Sequence, residues 1–492
     1  MSAYDDLMAH VRVTEAVSAV AGRTSWDQET MMPPGAAPQR AEEMAALEEV
    51  LHARRTDPRL GDMLAAAEAA DDVQAANLRE LRRAYARDTL VPSALAARIA
   101  RVTSLAQGQW AKARAADDAG AFVPVLDEVV RLRREEGQAL AAGGIGGDAY
   151  DALVQDYEPG ASAATLAAMF DEMRPRLVAL RERCLAAPPA PRLAGRFPAD
   201  AQMALATDLA TRFGYDLDRG RLDESVHPFS SGSGFDVRIT TRVDEADPFN
   251  CLYSTVHEVG HSTYEQGVDA AHLLTPIGRG VSMGVHESQS RSYENQMARS
   301  APFCGWLYGR MRDAFGDVGV ASERDFYRAV NAVRSGYIRT EADEIHYNLH
   351  VLLRFDLERA LILGELEAAE VEAAWNARFE ADFGVAVDRP SNGFLQDVHW
   401  SVGLMGYFPT YSLGNLYAGC LMAAARADLP DLDAALATGD PSPATGWMRD
   451  RLQRFGALRT PVDTIRHATG TDPSAGPLLD YLEAKFGDLA QG

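Results

Sequence analysis

The chain has 492 residues, of which 47% are hydrophobic, enough to bury a substantial core in one large or two smaller domains. Its formal net charge of −23 argues against nucleic acid and against an anionic membrane surface as partners. Nearly all the basic residues are arginine, with Lys112 and Lys485 as the lysines, so a single arginine carries little information by itself.

The first part of the chain is helical in pattern. Residues 36–140 show nearly continuous helical periodicity, and a glycine-rich break follows at residues 143–147. The helical pattern resumes from about Ser162. The proline-rich segment 187–191 is the best linker candidate.

The stretch from residue 222 to 243 has a different character. Residues 230–234 (Ser-Ser-Gly-Ser-Gly) predict a turn, and residues 235–240 alternate like a short strand. Helical periodicity then extends from Phe249 to the end, with breaks near residues 390–393 and 406–414. The pattern therefore predicts a large, mainly α protein with a small antiparallel sheet, without a fixed-period repeat.

The string His-Glu-Val-Gly-His at residues 257–261 carries the chemistry. Histidines four residues apart lie on one face of a helix, so His257 and His261 can bind the same metal ion. Glu258, beside the first histidine, can hold and deprotonate a water there. The motif predicts metal-assisted hydrolysis, most often of a peptide bond.

The surroundings of this motif favour a real metal site over a chance match. Apolar residues precede it at helical spacings of three and four, so it lies on a largely buried helix. Asp247 or Asn250 is the candidate cap of that helix, and Pro248 suits its first turn. Two imidazoles and a carboxylate would be costly to bury without a partner such as a metal.

Two histidines leave a catalytic zinc one protein ligand short. The extended metzincin motif needs a glycine and a histidine three and six residues after the second histidine. Tyr264 and Gly267 stand at those positions, which excludes that class.

Three glutamates are candidates for the third ligand. Glu265 lies farther along the same helix and is favoured as a packing or solvated residue. Glu294 stands among arginines and is favoured as an ion-pair partner or supporting group. Glu287 lies toward the less charged end of a second helix, predicted to begin near Val281 and fold back toward the first. We therefore choose Glu287.

The four cysteines are far apart and include no Cys-x-x-Cys pair. They fit neither a disulfide framework nor a zinc knuckle, which favours a reducing compartment. The N-terminus lacks the pattern of a secretion signal, and no stretch approaches 18 uncharged apolar residues. We therefore expect a cytoplasmic protein.

Further segments form an ordered series along the chain. They read Trp-Asp-Gln-Glu-Thr at 26–30, Asp-Tyr-Glu-Pro-Gly at 156–160, His-Pro-Phe at 227–229, Asp-Val-Arg-Ile-Thr at 236–240, His-Glu-Ser-Gln at 286–289, Ile-Arg-Thr-Glu-Ala-Asp at 338–343 and Gly-Phe-Leu-Gln-Asp-Val-His-Trp at 393–400. In this order, and with the metal motif, the series resembles the carboxypeptidase Taq family of metallocarboxypeptidases over nearly the whole chain.

The resemblance implies a zinc-dependent exopeptidase, with cobalt as a substitute, that releases one C-terminal residue at a time. It implies broad specificity with poor release of proline, peptide substrates with a free C-terminus, and a homodimer. The implied fold is a single helical peptidase domain over residues 1–492 with a deep groove, like neurolysin and angiotensin-converting enzyme. Helical subdomains 1–190 and 191–492 flanking that groove are its finer division.

The mechanism then follows with named roles. His257, His261 and Glu287 hold the metal, and Glu258 takes a proton from the attacking water and passes it to the leaving amine. His399, together with Tyr411 or Tyr407, is expected to stabilise the oxyanion, by analogy with related helical metallopeptidases. Nearby aromatic residues with an expected core or wall role are Trp400 and Tyr417.

A free C-terminal carboxylate also needs a cation to bind it. Arg339 is the first candidate, and an internal salt bridge with Glu341 or Asp343 is its structural alternative. Arg238 is a second candidate, for which the nearby Asp236 favours a structural role.

Four more polar residues have open roles. His227 is a candidate for lining the cleft near the metal, with packing as an equal alternative. His286 is expected either to orient Glu287 or to cap local structure. Gln396 and Asp397 are unassigned supporting candidates.

Two other functions compete with the carboxypeptidase interpretation. An endo-oligopeptidase or dipeptidyl carboxypeptidase could use the same helical scaffold. A zinc-containing helical binding protein without turnover is the alternative from another class. Glu258 argues against that alternative, because a purely structural metal needs no general base.

Overall fold

The structure, a computed structural model, describes residues 2–491, and it is mainly helical with 70% helix and 3% strand. The predicted fold class is confirmed. Within residues 2–491, no helix has both the length and the apolar character needed to cross a bilayer.

The α-helices are numbered here in chain order. They are α1 (Ala3–Thr30), α2 (Ala37–Arg55), α3 (Pro58–Ala66), α4 (Asp72–Leu90), α5 (Ser93–Ala116), α6 (Ala119–Ala142), α7 (Ala149–Val154), α8 (Ala163–Ala186), α9 (Ala199–Arg212), α10 (Pro248–Gly267), α11 (Met283–Arg291), α12 (Ala301–Phe315), α13 (Glu323–Val330), α14 (Glu344–Leu363), α15 (Val371–Phe383), α16 (Pro409–Asp428), α17 (Leu432–Leu436), α18 (Ser442–Arg451), α19 (Pro461–Thr469) and α20 (Gly476–Ala490). A π-helix, Ser292–Ala298, continues directly from α11, and Arg339–Glu341 and Phe394–Gln396 are single 3₁₀ turns.

The strands form one small sheet before α10. They are β1 (Leu222–Glu224), β2 (Ser230–Ser233) and β3 (Asp236–Thr241), in the order β1-β3-β2. β2 pairs antiparallel with β3, whereas β1 pairs parallel with β3, so the sheet is mixed rather than wholly antiparallel. The segment predicted as a turn is largely β2: its small residues carry no apolar alternation, but their backbones pair with β3.

Helix ends follow the capping residues. Ser162 caps α8, and Asp247, one of the two predicted caps, accepts a hydrogen bond from the Phe249 amide at the start of α10. α11 begins two residues later than predicted, after Ser282 as its cap. The predicted break at residues 406–414 ends early, because Pro409 is compatible with the first position of α16.

The chain forms two compact units, each built from three segments. The first contains the chain up to Thr89, Pro191–Asn331 and Cys420–Pro473, and the second contains Leu90–Ala190, Ala332–Gly419 and the chain from Ser474. In the first unit, α1, α3 and α4 share an apolar cluster, and α10 is buried along most of its length. In the second, the rings of Tyr150 and Phe170 pack against Phe355 of α14. One segment boundary falls at residue 190, where the sequence suggests a linker, and the single-domain interpretation stays a prediction.

Candidate metal centre

Two helices of the first unit bring the predicted metal ligands together. His257 and His261 lie on α10, and Glu287, 7% exposed, lies on α11. A Cβ atom at Gly260 would lie 2.5 Å from the Ser290 Cα and 2.7 Å from the Gln289 carbonyl oxygen. The glycine inside the motif therefore allows α11 to approach α10 closely enough to place Glu287 beside the histidines.

The three ligand atoms have the spacing of a metal site. The Glu287 Oε2 atom lies 3.8 Å from Nε2 of His257 and 3.3 Å from Nε2 of His261, and the three donor atoms lie within 4.8 Å of one another. Bonds of about 2.0 Å in a tetrahedron separate neighbouring ligand atoms by about 3.3 Å. The group can therefore hold a divalent metal with a position left for water or substrate.

The donor chemistry also fits, because the other ring nitrogen of each histidine has its own partner. Nδ1 of His257 lies 2.9 Å from Oε2 of Glu294, and Nδ1 of His261 lies 2.7 Å from His286. These contacts leave both Nε2 atoms to face the candidate metal. Glu294, favoured in the sequence analysis as an ion-pair partner or supporting group, thus contacts the ring of a candidate ligand. The π-helix that carries it is the kind of distortion often found at functional sites.

Arginines hold the two carboxylates of this centre. The Arg291 guanidinium donates from Nε to Oε1 of Glu287 at 2.7 Å, and Arg299 donates to Oε1 of Glu294 at 3.0 Å. Burial opposes ionisation of both glutamates, but these cations and the histidines outweigh it and hold the pKa of each well below its usual range. Both carboxylates are therefore charged at neutral pH, as a metal ligand and its supporting group require.

Burial acts differently on the remaining groups of the motif. It raises the pKa of Glu258 to about 7, a change that a cation at the neighbouring ligand atoms would oppose. It lowers the pKa of His261 to about 4, so that ring is neutral, the form that binds metals. For His257, burial is outweighed by Glu287 and Glu294, which raise its pKa, so protons compete with a metal there.

Arg339 lies in a buried charge cluster of the second unit. The Arg339 guanidinium donates two hydrogen bonds to Oδ1 of Asp397, of 2.9 and 3.1 Å. The Arg354 guanidinium donates to Oδ2 of the same carboxylate, with Nε at 2.7 Å. Arg339 therefore forms an internal salt bridge, but with Asp397 rather than with Glu341 or Asp343. Asp343 instead caps α14. Two guanidiniums share one carboxylate, which leaves one positive charge in excess. The side-chain oxygen of Gln396 accepts a hydrogen bond from the backbone N–H of Arg339. Gln396 and Asp397, the two residues without an assigned role, therefore both hold Arg339 in place.

The oxyanion candidates also lie in the second unit. Nε2 of His399 is 3.3 Å from the hydroxyl of Tyr411, and the Tyr407 ring lies 5.7 Å from the His399 ring and 5.2 Å from the Tyr411 ring. Burial lowers the pKa of His399 to about 4. Tyr411 belongs to the first turn of α16 rather than to an irregular segment. Core positions are occupied, as expected, by Trp400 and Tyr417.

The other two substrate-binding candidates lie around the sheet of the first unit. His227 is exposed in the connection between β1 and β2, so a packing role is not supported. Arg238 of β3 donates to Asp236 at 2.7 Å and lies over the Trp26 ring at 4.4 Å. These contacts favour the structural role for Arg238.

Several contributors had no usable signal in the sequence. Arg354 and its partner Asp397 are 43 residues apart, and no motif joins them. Glu265, weighed as a metal ligand, instead contacts His286, which was expected either to orient Glu287 or to cap local structure. Gly260 was visible as a small residue inside the motif, but its partners on α11 were not.

Comparison with known proteins gives one consistent family. The family described as carboxypeptidase Taq (M32) metallopeptidase matches residues 6–486. Thermostable carboxypeptidase 1 of Thermus thermophilus is 42% identical over 505 aligned residues, which cover 99% of both chains. Carboxypeptidase 1 of Bacillus subtilis is 32% identical, with 94% of each chain covered.

Solved structures agree with the sequence comparison. The crystal structure of an M32 carboxypeptidase from Deinococcus radiodurans R1 superposes with a TM-score of 0.96 at 38% identity and covers all of both chains. Metallocarboxypeptidase 1 of Trypanosoma cruzi gives a TM-score of 0.95 at 33% identity, over 98% of this chain and 99% of the other.

Proposed function

The chain belongs to the carboxypeptidase Taq (M32) family of metallopeptidases, and from this premise we propose that it is a metal-dependent carboxypeptidase. It would release single C-terminal residues from peptides with broad specificity and poor release of proline. The observation that carries the proposal is the group formed by His257, His261 and Glu287 with Glu258 adjacent in the chain. A binding protein without turnover would need no carboxyl group beside the ligands.

We propose Zn²⁺ as the metal, with Co²⁺ as a substitute. Two imidazole nitrogens and one carboxylate oxygen form a donor set that suits Zn²⁺, and three protein ligands are typical of a catalytic rather than a structural site. When bound, a divalent cation acts as a Lewis acid toward the scissile carbonyl and acidifies water.

The residues of the chain supply proton transfer and positioning. Glu258 accepts the proton of the attacking water and delivers it to the leaving amine. Glu294 and Arg291 fix the orientation of His257 and Glu287 through the contacts described above. His399 and Tyr411 are our candidates for donors to the developing oxyanion, with Tyr407 as a neighbouring ring that limits their movement, and His227 stays a candidate for substrate contact.

Mass spectrometry of a mixed peptide set tests the reaction. We expect a ladder that shortens from the C-terminus one residue at a time and pauses before proline. A chelator should abolish the ladder, and added Zn²⁺ should restore it. Internal cuts, or release of dipeptides, would instead support the endo-oligopeptidase or dipeptidyl carboxypeptidase alternative.

We propose Arg339 as the residue that binds the terminal carboxylate. The excess positive charge of its cluster would be balanced by a bound carboxylate, and Arg339 at 5% exposure is more accessible than Arg354 at 0%. Arg339→Ala should raise KM about 10- to 100-fold for peptides with a free C-terminus, the effect of losing a charged hydrogen-bonded pair. KM for amidated peptides should change less.

Arg238→Ala is the matched control for this measurement. Arg238 is paired with Asp236 and stacked over Trp26, contacts that favour a structural role. The ratio of the two KM values should therefore stay at the wild-type level. Equal increases for free and amidated peptides in Arg339→Ala would show that Arg339 does not recognise the terminus.

A cytoplasmic location and a homodimer are also part of the proposal. Within residues 2–491, none of the four cysteines forms a disulfide, which supports a reducing compartment. The homodimer rests on the family resemblance.

A further inference from the structure

The second histidine of the motif is supported by another histidine rather than by a carboxylate. Nδ1 of His261 lies 2.7 Å from Nδ1 of His286, and Nε2 of His286 lies 3.0 Å from Oε1 of Glu265. The same Glu265 oxygen accepts a hydrogen bond from the backbone N–H of Gly280, with an N–O distance of 2.9 Å. His261, His286 and Glu265 therefore form a chain of three side chains, which we call the His286 relay.

The direction of the hydrogen bonds in this relay follows from the donor inventory. The Gly280 N–H can only donate and an ionised carboxylate can only accept, so Oε1 of Glu265 in its carboxylate form accepts hydrogen bonds from both Gly280 and Nε2 of His286. In a neutral imidazole the other nitrogen is then an acceptor, so Nδ1 of His286 accepts from Nδ1–H of His261. Nε2 of His261 consequently carries its lone pair, which is the form that a metal ligand needs.

Close packing holds the relay in place. A Cβ atom at Gly280 would lie 2.6 Å from Cδ2 of His286 and 3.2 Å from Oε1 of Glu265, so the glycine leaves the space that both side chains occupy. The Tyr264 ring covers His286 at 5.3 Å between centroids. Glu265 is 7% exposed, and its Oε2 atom has no hydrogen-bond partner within residues 2–491. A glutamate held this way is costly to bury, which argues for a role beyond packing.

We propose that His286 and Glu265 are positioning residues that fix the tautomer and ring orientation of His261 toward the metal. This inference rests on the proposed metal site. The two histidine ligands are then supported unequally: His257 by the Glu294 carboxylate directly, and His261 by the His286 ring with Glu265 behind it. Removing a group that supports a ligand typically weakens metal binding 10- to 100-fold.

Zn²⁺ affinity, measured by competition with a chromophoric chelator on the full chain, tests this proposal. His286→Phe keeps a ring but removes both nitrogens, and we expect about 10- to 100-fold weaker Zn²⁺ binding. The side-chain oxygen of His286→Asn can stand near the position of Nδ1 and accept from His261, so this variant should lose less than His286→Phe. The longer side chain of His286→Gln reaches the position of Nε2 instead, so it should resemble His286→Phe.

Matched variants separate hydrogen bonding from packing. Glutamine is closer than asparagine to histidine in size, so a pure packing role predicts the opposite order for the two amide variants. Glu265→Gln keeps an acceptor oxygen and should stay near wild type, whereas Glu265→Leu should weaken binding about tenfold. His272→Phe changes a histidine in the same α10–α11 connection and should have no effect on Zn²⁺ affinity. Thermal unfolding of the metal-free variants controls for folding.

The possible results separate three claims: the positioning role of His286, the metal site and the proposed reaction. Wild-type Zn²⁺ affinity in all three His286 variants would overturn the positioning role, and so would equal weakening in His286→Asn and His286→Gln. A wild-type chain that binds no Zn²⁺ would refute the metal site itself, and with it this inference. Binding of one Zn²⁺ per chain without peptidase activity would refute the proposed reaction while leaving the relay supported by its affinity series.

Discussion

Glu258→Gln is expected to lower kcat about 10³- to 10⁴-fold while the protein still binds one metal per chain, since general acid–base catalysis typically contributes up to this range. Glutamine matches the shape of glutamate but can neither accept the proton of water nor return it to the leaving amine. His257, His261 and Glu287 are unchanged, so the donor set for the metal is intact. Hydrolysis of an N-blocked dipeptide and metal analysis of the same preparation check both parts.

Glu258→Asp is the control for that experiment. It keeps a carboxylate but withdraws it by one methylene, so we expect a kcat between those of wild type and Glu258→Gln. Metal content should equal that of wild type in both variants. Unchanged turnover in Glu258→Gln would refute its assignment as the general base, and loss of the metal would show that Glu258 supports the site structurally instead.

The parts of the metal centre predicted from sequence are those determined over short stretches of chain. Helix geometry alone places His257 and His261 on one face, and Asp247 caps the same helix by accepting a hydrogen bond from the Phe249 amide in its first turn. Glu287 could be chosen because Glu265 lies too far along the helix of the two histidines and Glu294 stands among arginines. Each of these steps uses spacing within one helix or the charge of near neighbours.

The parts that sequence could not predict depend on how distant elements pack. His286 contacts His261 across 25 residues, and this pairing requires α11 to cross α10 at Gly260, a crossing that no periodicity specifies. In the same way, β2 is a strand because its backbone pairs with β3, although its sequence reads as a turn. The parallel pairing of β1 depends on the path of the connection to β3.

The second large effect is expected in the free energy of unfolding, when the buried carboxylate of Asp397 is removed. Asp397→Asn should lower the free energy of unfolding by about 3–5 kcal/mol, the usual cost of removing one partner of a buried ion pair. Asp397 is the carboxylate that both Arg339 and Arg354 bond, and Arg354 is fully buried, so an asparagine leaves two guanidiniums without a counter-charge. Denaturant unfolding at pH 7 measures the loss, and the exposed Asp388→Asn should change it by less than about 0.5 kcal/mol.

The pH dependence of the stability difference between wild type and Asp397→Asn shows whether it comes from lost charge pairing or from packing. Burial opposes ionisation of Asp397, but Arg354 and Arg339 outweigh it and hold its pKa below the usual value. A carboxylate with a lowered pKa stabilises the folded state above its unfolded-state pKa of about 3.9 and loses that contribution as the pH falls. The gap between wild type and Asp397→Asn should therefore narrow between pH 7 and about pH 3, whereas a packing defect would give the same gap at both.

Adding a second substitution tests the charge argument directly. Arg354→Met in the Asp397→Asn background removes one of the two unpaired guanidiniums and returns the cluster to the single excess charge of the wild type. The double variant should therefore be more stable than Asp397→Asn alone, because a buried uncompensated charge costs more than a well-packed apolar side chain. Further loss of stability in the double variant would show that packing of Arg354 against Trp375, rather than charge balance, dominates this cluster.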